Sequence, residues 1–212
     1  MFKCVIFDFD MTLVDSSYAI RDTMNMLAEK QGLPPVTREQ VLEVIGLPIK
    51  ESWIKVWNRF EDEWLDSYRE SFLESEFKGM HPFPGTERVL TFLREKNVAL
   101  GVASNRLSPV RPMKATGLYD YFGSAVGMGD VENAKPAPDM ILKSMEELGF
   151  SPGESAYVGD TEDDMAAARA AGVKGIGMTS GNSPAEKLLG AGAWRVADSI
   201  EEIIELWGEG RP

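Results

Sequence analysis

Residues 4–15 decide the fold, and they read Cys4-Val5-Ile6-Phe7-Asp8-Phe9-Asp10-Met11-Thr12-Leu13-Val14-Asp15. The first four are all apolar, which is the pattern of a parallel strand buried on both faces. Asp8 and Asp10 follow directly, at the predicted end of that strand. Because two carboxylates this close repel each other, the pair favours a bound cation beside it. The stretch therefore predicts a buried strand with a candidate cation site at its carboxyl end.

Simpler interpretations of these two aspartates exist. The pair also fits a solvated turn in which an Asp caps a helix. A calcium loop of the helix–loop–helix type requires Gly at its sixth position and Glu at its twelfth. Counted from Asp8, those positions hold Leu13 and Ala19, so the calcium loop is excluded.

Strand and helix patterns alternate from residue 81 onward. Repeated strand–helix units indicate a parallel sheet with helices on both faces, which is an α/β fold. The predicted helices are 86–96, 108–116, 138–148 and 163–171. The predicted strands are 98–103, 125–128, 156–159, 175–177 and 195–196, with the last two at the edge of the sheet.

Residues 16–80 predict helices only, and they interrupt this alternation directly after the first strand. The predicted helices are 18–31, a second that begins at a capping box of Thr37 and Gln40 and ends near Gly46, and one or two more within 52–77. The aromatic residues Trp53, Trp57, Phe60 and Trp64 recur at helical spacing, which indicates a core. The sequence therefore predicts a core domain of residues 1–15 and 81–212, with residues 16–80 inserted as a helical cap domain.

Three groups of polar residues come directly after apolar strands. In a parallel sheet, ligands bind beyond the carboxyl ends of the strands, so these groups should meet at one edge. They are Asp8 with Asp10, Ser104 with Asn105, and Gly159 with Asp160. The convergence predicts a single site at that edge.

Four acidic residues lie within residues 160–164. Acids at a helix N-terminus favour the helix dipole, which can explain Asp163 or Asp164. It does not explain Asp160, which precedes the helix. Carboxylate oxygens suit Mg²⁺ better than zinc.

Lys135 lies just outside a predicted helix start. It is either a solvated charge or a point charge that reaches a phosphate.

Four motifs in this order resemble those of the haloacid dehalogenase-like hydrolase superfamily. They are Asp8-Phe9-Asp10-Met11-Thr12-Leu13, Ser104, Lys135-Pro136, and Gly159-Asp160 with Asp164. The last motif and the helical insertion after the first are similar to the phosphoglycolate phosphatase-like branch. The resemblance spans nearly the whole chain and implies a Rossmann-like core.

The resemblance implies a phosphatase. Asp8 would attack phosphorus and form an aspartyl-phosphate, and Asp10 would act as acid and base. Mg²⁺ would be the cofactor, and the metal site would consist of Asp8, Asp10 through its backbone carbonyl and Asp160, with Asp164 holding a metal-bound water or supporting the site indirectly. The phosphate-binding residues would be Ser104, Asn105 and Lys135. The dehalogenase branch does not carry an Asp at the position of Asp10, so its presence favours phosphoryl transfer.

Two other functions remain open from the sequence. A sugar-phosphate mutase similar to beta-phosphoglucomutase would share all four motifs. A signalling domain phosphorylated on Asp would share the aspartates, hydroxyl, lysine and Mg²⁺, although such domains are shorter and lack the insertion. Arg106 follows the second motif and could contact a substrate anion, but a lone arginine is more often solvated at the surface, and that is what we expect.

Charge and composition limit the partners. The chain has 212 residues, a net charge of −12 and one cysteine. It lacks the basic surface that a nucleic-acid binder needs, and it has no apolar run near the roughly 20 residues that span a membrane. We therefore expect a small phosphorylated substrate, and neither nucleic acid nor membrane as a partner.

The single Cys4 and the absence of an export signal favour a cytoplasmic location. Monomer and dimer are equally compatible with the sequence.

Overall fold

The computed structural model describes residues 2–68 and 78–208. In chain order the strands are β1 (Cys4–Phe7), β2 (Val14–Asp15), β3 (His81–Pro82), β4 (Ala99–Ser104), β5 (Ser124–Gly127), β6 (Ser155–Gly159), β7 (Lys174–Met178) and β8 (Arg195–Ala197). The helices are α1 (Ser17–Gln31), α2 (Arg38–Leu42), α3 (Ile49–Trp57), α4 (Thr86–Glu95), α5 (Val110–Ala115), α6 (Asp139–Leu148), α7 (Glu162–Ala170), α8 (Ala185–Ala191) and α9 (Glu202–Gly208). No helix in these residues is long and apolar enough to cross a membrane.

A six-stranded parallel sheet forms the larger unit, with the strand order β5-β4-β1-β6-β7-β8. All four residues of β1 are buried, as its apolar run predicts. Ile6 packs on one face in a cluster with Met145 of α6 and Ala168 of α7. Because successive side chains of a strand point to opposite faces, Phe7 lies on the other face, where its ring contacts Phe122. The predicted α/β fold with covered sheet faces is confirmed.

The prediction that residues 175–177 form an edge strand is wrong, because β7 lies between β6 and β8. The glycines of this inner strand allow helices to pack closely against it. A Cβ atom at Gly175 would lie 3.0 Å from Met165 of α7, and one at Gly177 would lie 3.0 Å from Leu188 of α8. β8 is an edge strand, as predicted.

Residues Asp15–His81 form a second compact unit, and the first unit comprises Met1–Val14 with Pro82–Pro212. The predicted capping box of Thr37 and Gln40 is present, but α2 ends at Leu42, before the predicted end near Gly46. α3 begins at Ile49, three residues earlier than predicted, with Pro48 at its N-cap. Residues 64–68 are also helical, and the remainder of the predicted helix, 69–77, lies outside the described residues.

The aromatic stripe forms the core of this helical unit, as predicted. The Trp53 side chain is 1% exposed, and four aromatic ring centroids lie within 5.2–6.1 Å of its own. These rings belong to Trp57, Phe60, Trp64 and Tyr68. Aromatic pairs at such distances stabilise a core beyond the area they bury.

Candidate active site

Three strand ends meet at the centre of the parallel sheet. β1 lies between β4 and β6, and Phe7 is in register with Val102 on one side and Val158 on the other. The Asp8 backbone N–H continues this ladder by donating to the Val158 carbonyl at 2.8 Å. The segments after these strands therefore emerge side by side, as the sequence predicts.

Lys135 lies at the centre of a buried ionic cluster. Its Nζ donates to Asp8 Oδ1 at 2.6 Å, to Asp164 Oδ1 at 2.7 Å and to the Tyr157 hydroxyl at 3.0 Å. The Tyr157 hydroxyl also lies 2.9 Å from the Ala103 carbonyl oxygen and 3.0 Å from Asp164 Oδ1. Because an ammonium group has three N–H donors, this arrangement uses all of them. Lys135 is thus held rigidly beside Asp8.

Asn105 positions the segment that carries Lys135. The Lys135 backbone N–H donates to Asn105 Oδ1 at 3.0 Å, and Asn105 Nδ2 donates to the Lys135 carbonyl at 3.5 Å. The amide of Asn105 therefore contacts the backbone of Lys135. Ser104, one residue earlier, is buried, and its Oγ accepts the Arg106 backbone N–H at 3.3 Å. Phosphate binding by Ser104, Asn105 and Lys135 stays a prediction.

Asp160 is fully buried and is held by two other loops. Thr12 donates its hydroxyl to Asp160 Oδ1 at 2.9 Å, and the Asn182 backbone N–H donates to Oδ2 at 2.8 Å. The backbone between Met178 and Ser183 passes so close that a Cβ atom at Gly181 would overlap the Asp160 side chain. The carboxylate therefore has a fixed orientation.

Asp164 lies at the N-terminal end of α7 and turns back toward β6. Its Oδ2 accepts the backbone N–H groups of Asp160 at 3.1 Å and Thr161 at 3.0 Å, and the Thr161 hydroxyl at 2.7 Å. A Cβ atom at position 159 would lie 2.5 Å from Asp164 Cγ, so glycine is required there. Both oxygens of Asp164 are thus occupied, one by these donors and the other by Lys135 and Tyr157.

Arg106 is not the solvated residue that we expected from the sequence. Its Nε donates to Asp10 Oδ2 and its Nη2 to Asp10 Oδ1, both at 2.7 Å. The two side chains are only 13% and 11% exposed. A residue two positions beyond a strand end can point into the site or into solvent, and the sequence could not distinguish these directions. The Arg106 side chain points into the site because it forms an ion pair with the Asp10 carboxylate there.

Burial and neighbouring charges shift the pKa values of the carboxylates in this site. Burial, together with the Asp164 and Asp10 carboxylates, raises the pKa of Asp8 to about 7 despite the opposing Lys135 ammonium. Burial, followed by the Asp164 and Asp8 carboxylates, raises the pKa of Asp160 well above its usual range. Burial would also raise the pKa of Asp164, but the Lys135 ammonium outweighs it and holds that pKa below the usual value. A further positive charge at this point would lower the raised pKa values of both Asp8 and Asp160.

These residues fit a divalent cation. The carboxylate oxygens of Asp8, Asp160 and Asp164 lie within 4.8 Å of one another and are buried. Three carboxylates against the one ammonium of Lys135 leave two negative charges in excess when all are ionised, which a divalent ion would balance. Oxygen donors suit Mg²⁺, whereas zinc prefers nitrogen and sulfur. Asp10 does not belong to this group of carboxylates, because its side chain pairs with Arg106.

The Gly181→Ala variant tests this cation site. The added methyl group must displace the Asp160 carboxylate, so we expect the affinity for Mg²⁺ to fall roughly 10- to 100-fold, the range typical of lost ligand orientation. Isothermal titration calorimetry of the folded variant measures this. Gly190→Ala in α8 is the matched control, because no heavy atom lies within 4 Å of its added Cβ. Equal Mg²⁺ affinity of the two variants would contradict this site.

Thr12 and Tyr157 are buried members of the site that the sequence did not reveal in these roles. The Thr12 hydroxyl holds Asp160, although no local pattern in the sequence connects these two residues. Tyr157 lies within the apolar strand β6, where an aromatic residue is typical of core. Its position two residues before the end of β6, where the acidic motif follows, is the only sequence signal for this role of Tyr157.

Comparison with known proteins identifies the family. The family model of haloacid dehalogenase-like hydrolases matches residues 5–178. A phosphoglycolate phosphatase of Chromobacterium violaceum is 31% identical, with 98% of this chain and 97% of that protein covered. The pyrophosphatase PpaX of Oceanobacillus iheyensis is 23% identical, with coverage of 98% and 97%.

A solved structure supports the same family. A Clostridium acetobutylicum protein described as a predicted phosphatase has a TM-score of 0.87 and 26% identity, with 99% of each chain covered. The enzyme class expected from the motifs, a phosphatase of this superfamily, is confirmed by the family match and the curated relatives. The four motifs, the parallel sheet and these matches together show that the chain belongs to the haloacid dehalogenase-like hydrolases, in their phosphoglycolate phosphatase-like branch.

Proposed function

We propose that this chain is a magnesium-dependent phosphatase that hydrolyses a small phosphomonoester through an aspartyl-phosphate on Asp8. The observation that carries the proposal is the Lys135 ammonium, which contacts Asp8 and Asp164 at 2.6 and 2.7 Å beside three clustered carboxylates. Such an arrangement combines a nucleophile, a fixed positive charge and a cation site at one point.

Asp8 has one oxygen available for attack. Lys135 occupies Oδ1, and within residues 2–68 and 78–208 no donor forms a hydrogen bond to Oδ2. In the first step Oδ2 forms a bond to phosphorus and the bond from phosphorus to the leaving oxygen breaks. Asp10 protonates that leaving oxygen and then takes a proton from water when the aspartyl-phosphate is hydrolysed.

The remaining residues bind and neutralise the phosphoryl group. Ser104 donates a hydrogen bond to it, and the Lys135 ammonium balances its charge together with that of Asp8. Asn105 acts by fixing the backbone of Lys135. The contacts that hold Lys135 and Asn105 are formed without a substrate, which supports a preorganised phosphate site.

Mg²⁺ is the cofactor in this proposal. Asp8, Asp160 and the backbone carbonyl of Asp10 would hold it, and it would offset the repulsion between the Asp8 carboxylate and a phosphate dianion. Asp164 has both oxygens engaged by protein donors, which supports an indirect role in which it orients Lys135 or a metal-bound water.

The inserted residues 16–80 would act as the cap that selects the substrate. Relatives named phosphoglycolate phosphatase and pyrophosphatase make small phosphorylated compounds the first candidates. The net charge of −12 argues against nucleic acid as a partner. The single cysteine is compatible with the cytoplasm as the location.

A panel of small phosphomonoesters tests the proposal, beginning with 2-phosphoglycolate, sugar phosphates and nucleotides. We expect at least one to release phosphate with kcat/KM above roughly 10⁴ M⁻¹s⁻¹ in Mg²⁺ and none to do so in EDTA. Conversion of a sugar phosphate into an isomer without phosphate release would favour a mutase. Phosphate release that survives EDTA would refute the role of Mg²⁺.

A further inference from the structure

Arg106 forms a two-point contact with Asp10 that the proposed function does not yet use. Two N–H groups of its guanidinium meet the two carboxylate oxygens, each at 2.7 Å. Arginine presents donors in a fixed planar fork, so a bidentate pair fixes both the position and the plane of the carboxylate. Asp10 therefore has little freedom to rotate.

Arg106 is itself held firmly. Its backbone N–H donates to Ser104 Oγ, and its carbonyl accepts the Met128 N–H at 2.7 Å. Its guanidinium lies 5.7 Å from the centre of the Phe9 ring. The contact thus connects the end of β4, which carries Ser104, to the loop after β1, which carries Asp8 and Asp10.

We propose that Arg106 is a positioning residue that holds the Asp10 carboxylate for the step in which water hydrolyses the aspartyl-phosphate. This inference rests on the proposed function. In that step the water oxygen bonds to phosphorus, and the bond between phosphorus and the Asp8 oxygen breaks, which restores the Asp8 carboxylate. A proton of the water passes to Asp10, and inorganic phosphate leaves. An oriented carboxylate is what this step requires of Asp10.

Direct binding of a substrate anion is the competing role for Arg106. It would require the guanidinium to give up its bidentate ion pair with the largely buried Asp10 carboxylate, which is strongly unfavourable. The geometry therefore favours a lasting contact with Asp10.

Acid-quench kinetics with p-nitrophenyl phosphate separate the two roles. Because p-nitrophenolate leaves without being protonated, phosphorylation of Asp8 should change little in Arg106→Ala. Hydrolysis of the phosphoenzyme should slow roughly 100-fold, within the range of general acid–base effects. The variant should then release nitrophenolate in a burst and accumulate phosphoenzyme. Arg106→Lys keeps the charge but loses the fork, so we expect an intermediate slowing of about 10-fold.

Arg88→Ala is the matched control, because it removes an arginine from an exposed ion pair with Glu201. We expect it to behave as the wild type. An increase in KM for Arg106→Ala and Arg106→Lys with an unchanged phosphoenzyme fraction, or equal slowing of both steps, would overturn the inference. A wild-type protein that forms no phosphoenzyme would refute the proposed function itself, so the two failures are distinguishable.

Discussion

Asp8→Asn is expected to reduce Mg²⁺-dependent hydrolysis of p-nitrophenyl phosphate by at least about 10⁴-fold. An amide cannot form the acyl phosphate, and loss of a nucleophile has effects of this size or larger. The exchange removes a negative charge from a buried cluster that already contains an excess of carboxylates. Lys135 keeps its contacts to Asp164 and Tyr157. The variant should therefore fold, and steady-state release of p-nitrophenolate measures the effect.

Asp120→Asn is the control for this variant, because Asp120 is exposed and distant in sequence from all four motifs. We expect its activity to match the wild type. Substantial hydrolysis by Asp8→Asn, with the same requirement for Mg²⁺, would mean that another group attacks phosphorus.

Lys135→Met is expected to have the second largest effect, on activity and on stability together. The Lys135 side chain is 4% exposed, and its removal leaves Asp8 and Asp164 buried without their cation. Removal of one partner of a buried ion pair typically lowers the free energy of unfolding by about 3–5 kcal/mol. We expect a loss of this order in EDTA and a smaller loss in saturating Mg²⁺, because the bound ion replaces part of the missing charge. Urea denaturation under both conditions measures the difference.

The activity of Lys135→Met should fall at least about 100-fold even in saturating Mg²⁺, since removing one donor to a developing charge has effects of that size. Lys187→Met is the matched control. Lys187 contacts Glu162 at 3.5 Å with its side chain 65% exposed, so its loss should change stability by no more than about 0.5 kcal/mol. Equal stability of both variants in EDTA would contradict the structural role of Lys135.

The sequence predicted the strand ends well because their chemistry is local. An apolar run followed by Asp8, and another followed by Ser104, can each be recognised without knowledge of the rest of the chain. The parallel order of β4, β1 and β6 then brings these ends together. The helix of residues 17–31 was similarly predictable, because its apolar spacing and Gly32 at its end are local signals.

The contacts between these segments were not predictable in the same way. Arg106 and Asp10 are 96 positions apart, and Thr12 and Asp160 are 148 apart. No periodicity or turn signal links residues so distant, so a pairing between them appears only when the strand order is known. For the same reason the short strand of residues 175–177 was predicted at an edge of the sheet, whereas β7 lies between β6 and β8.

The role of Gly181 was also not predictable from the sequence. In the sequence it belongs to a Ser-Gly-Asn turn without apparent chemistry. In the structure, its lack of a side chain lets the backbone approach Asp160, and the next N–H donates to that carboxylate. Close approach of a backbone to a ligand group is a property of the folded chain, and many surface turns carry the same residues.

Identification of the phosphorylated residue tests the central claim most directly. The wild-type protein is mixed with p-nitrophenyl phosphate and Mg²⁺, quenched in acid during turnover, and digested for mass spectrometry. We predict one phosphoryl group on the peptide that contains Asp8, absent from Asp8→Asn and in higher occupancy in Arg106→Ala. A phosphoryl group on another residue, or rapid phosphate release with none on the protein at any time, would contradict the account.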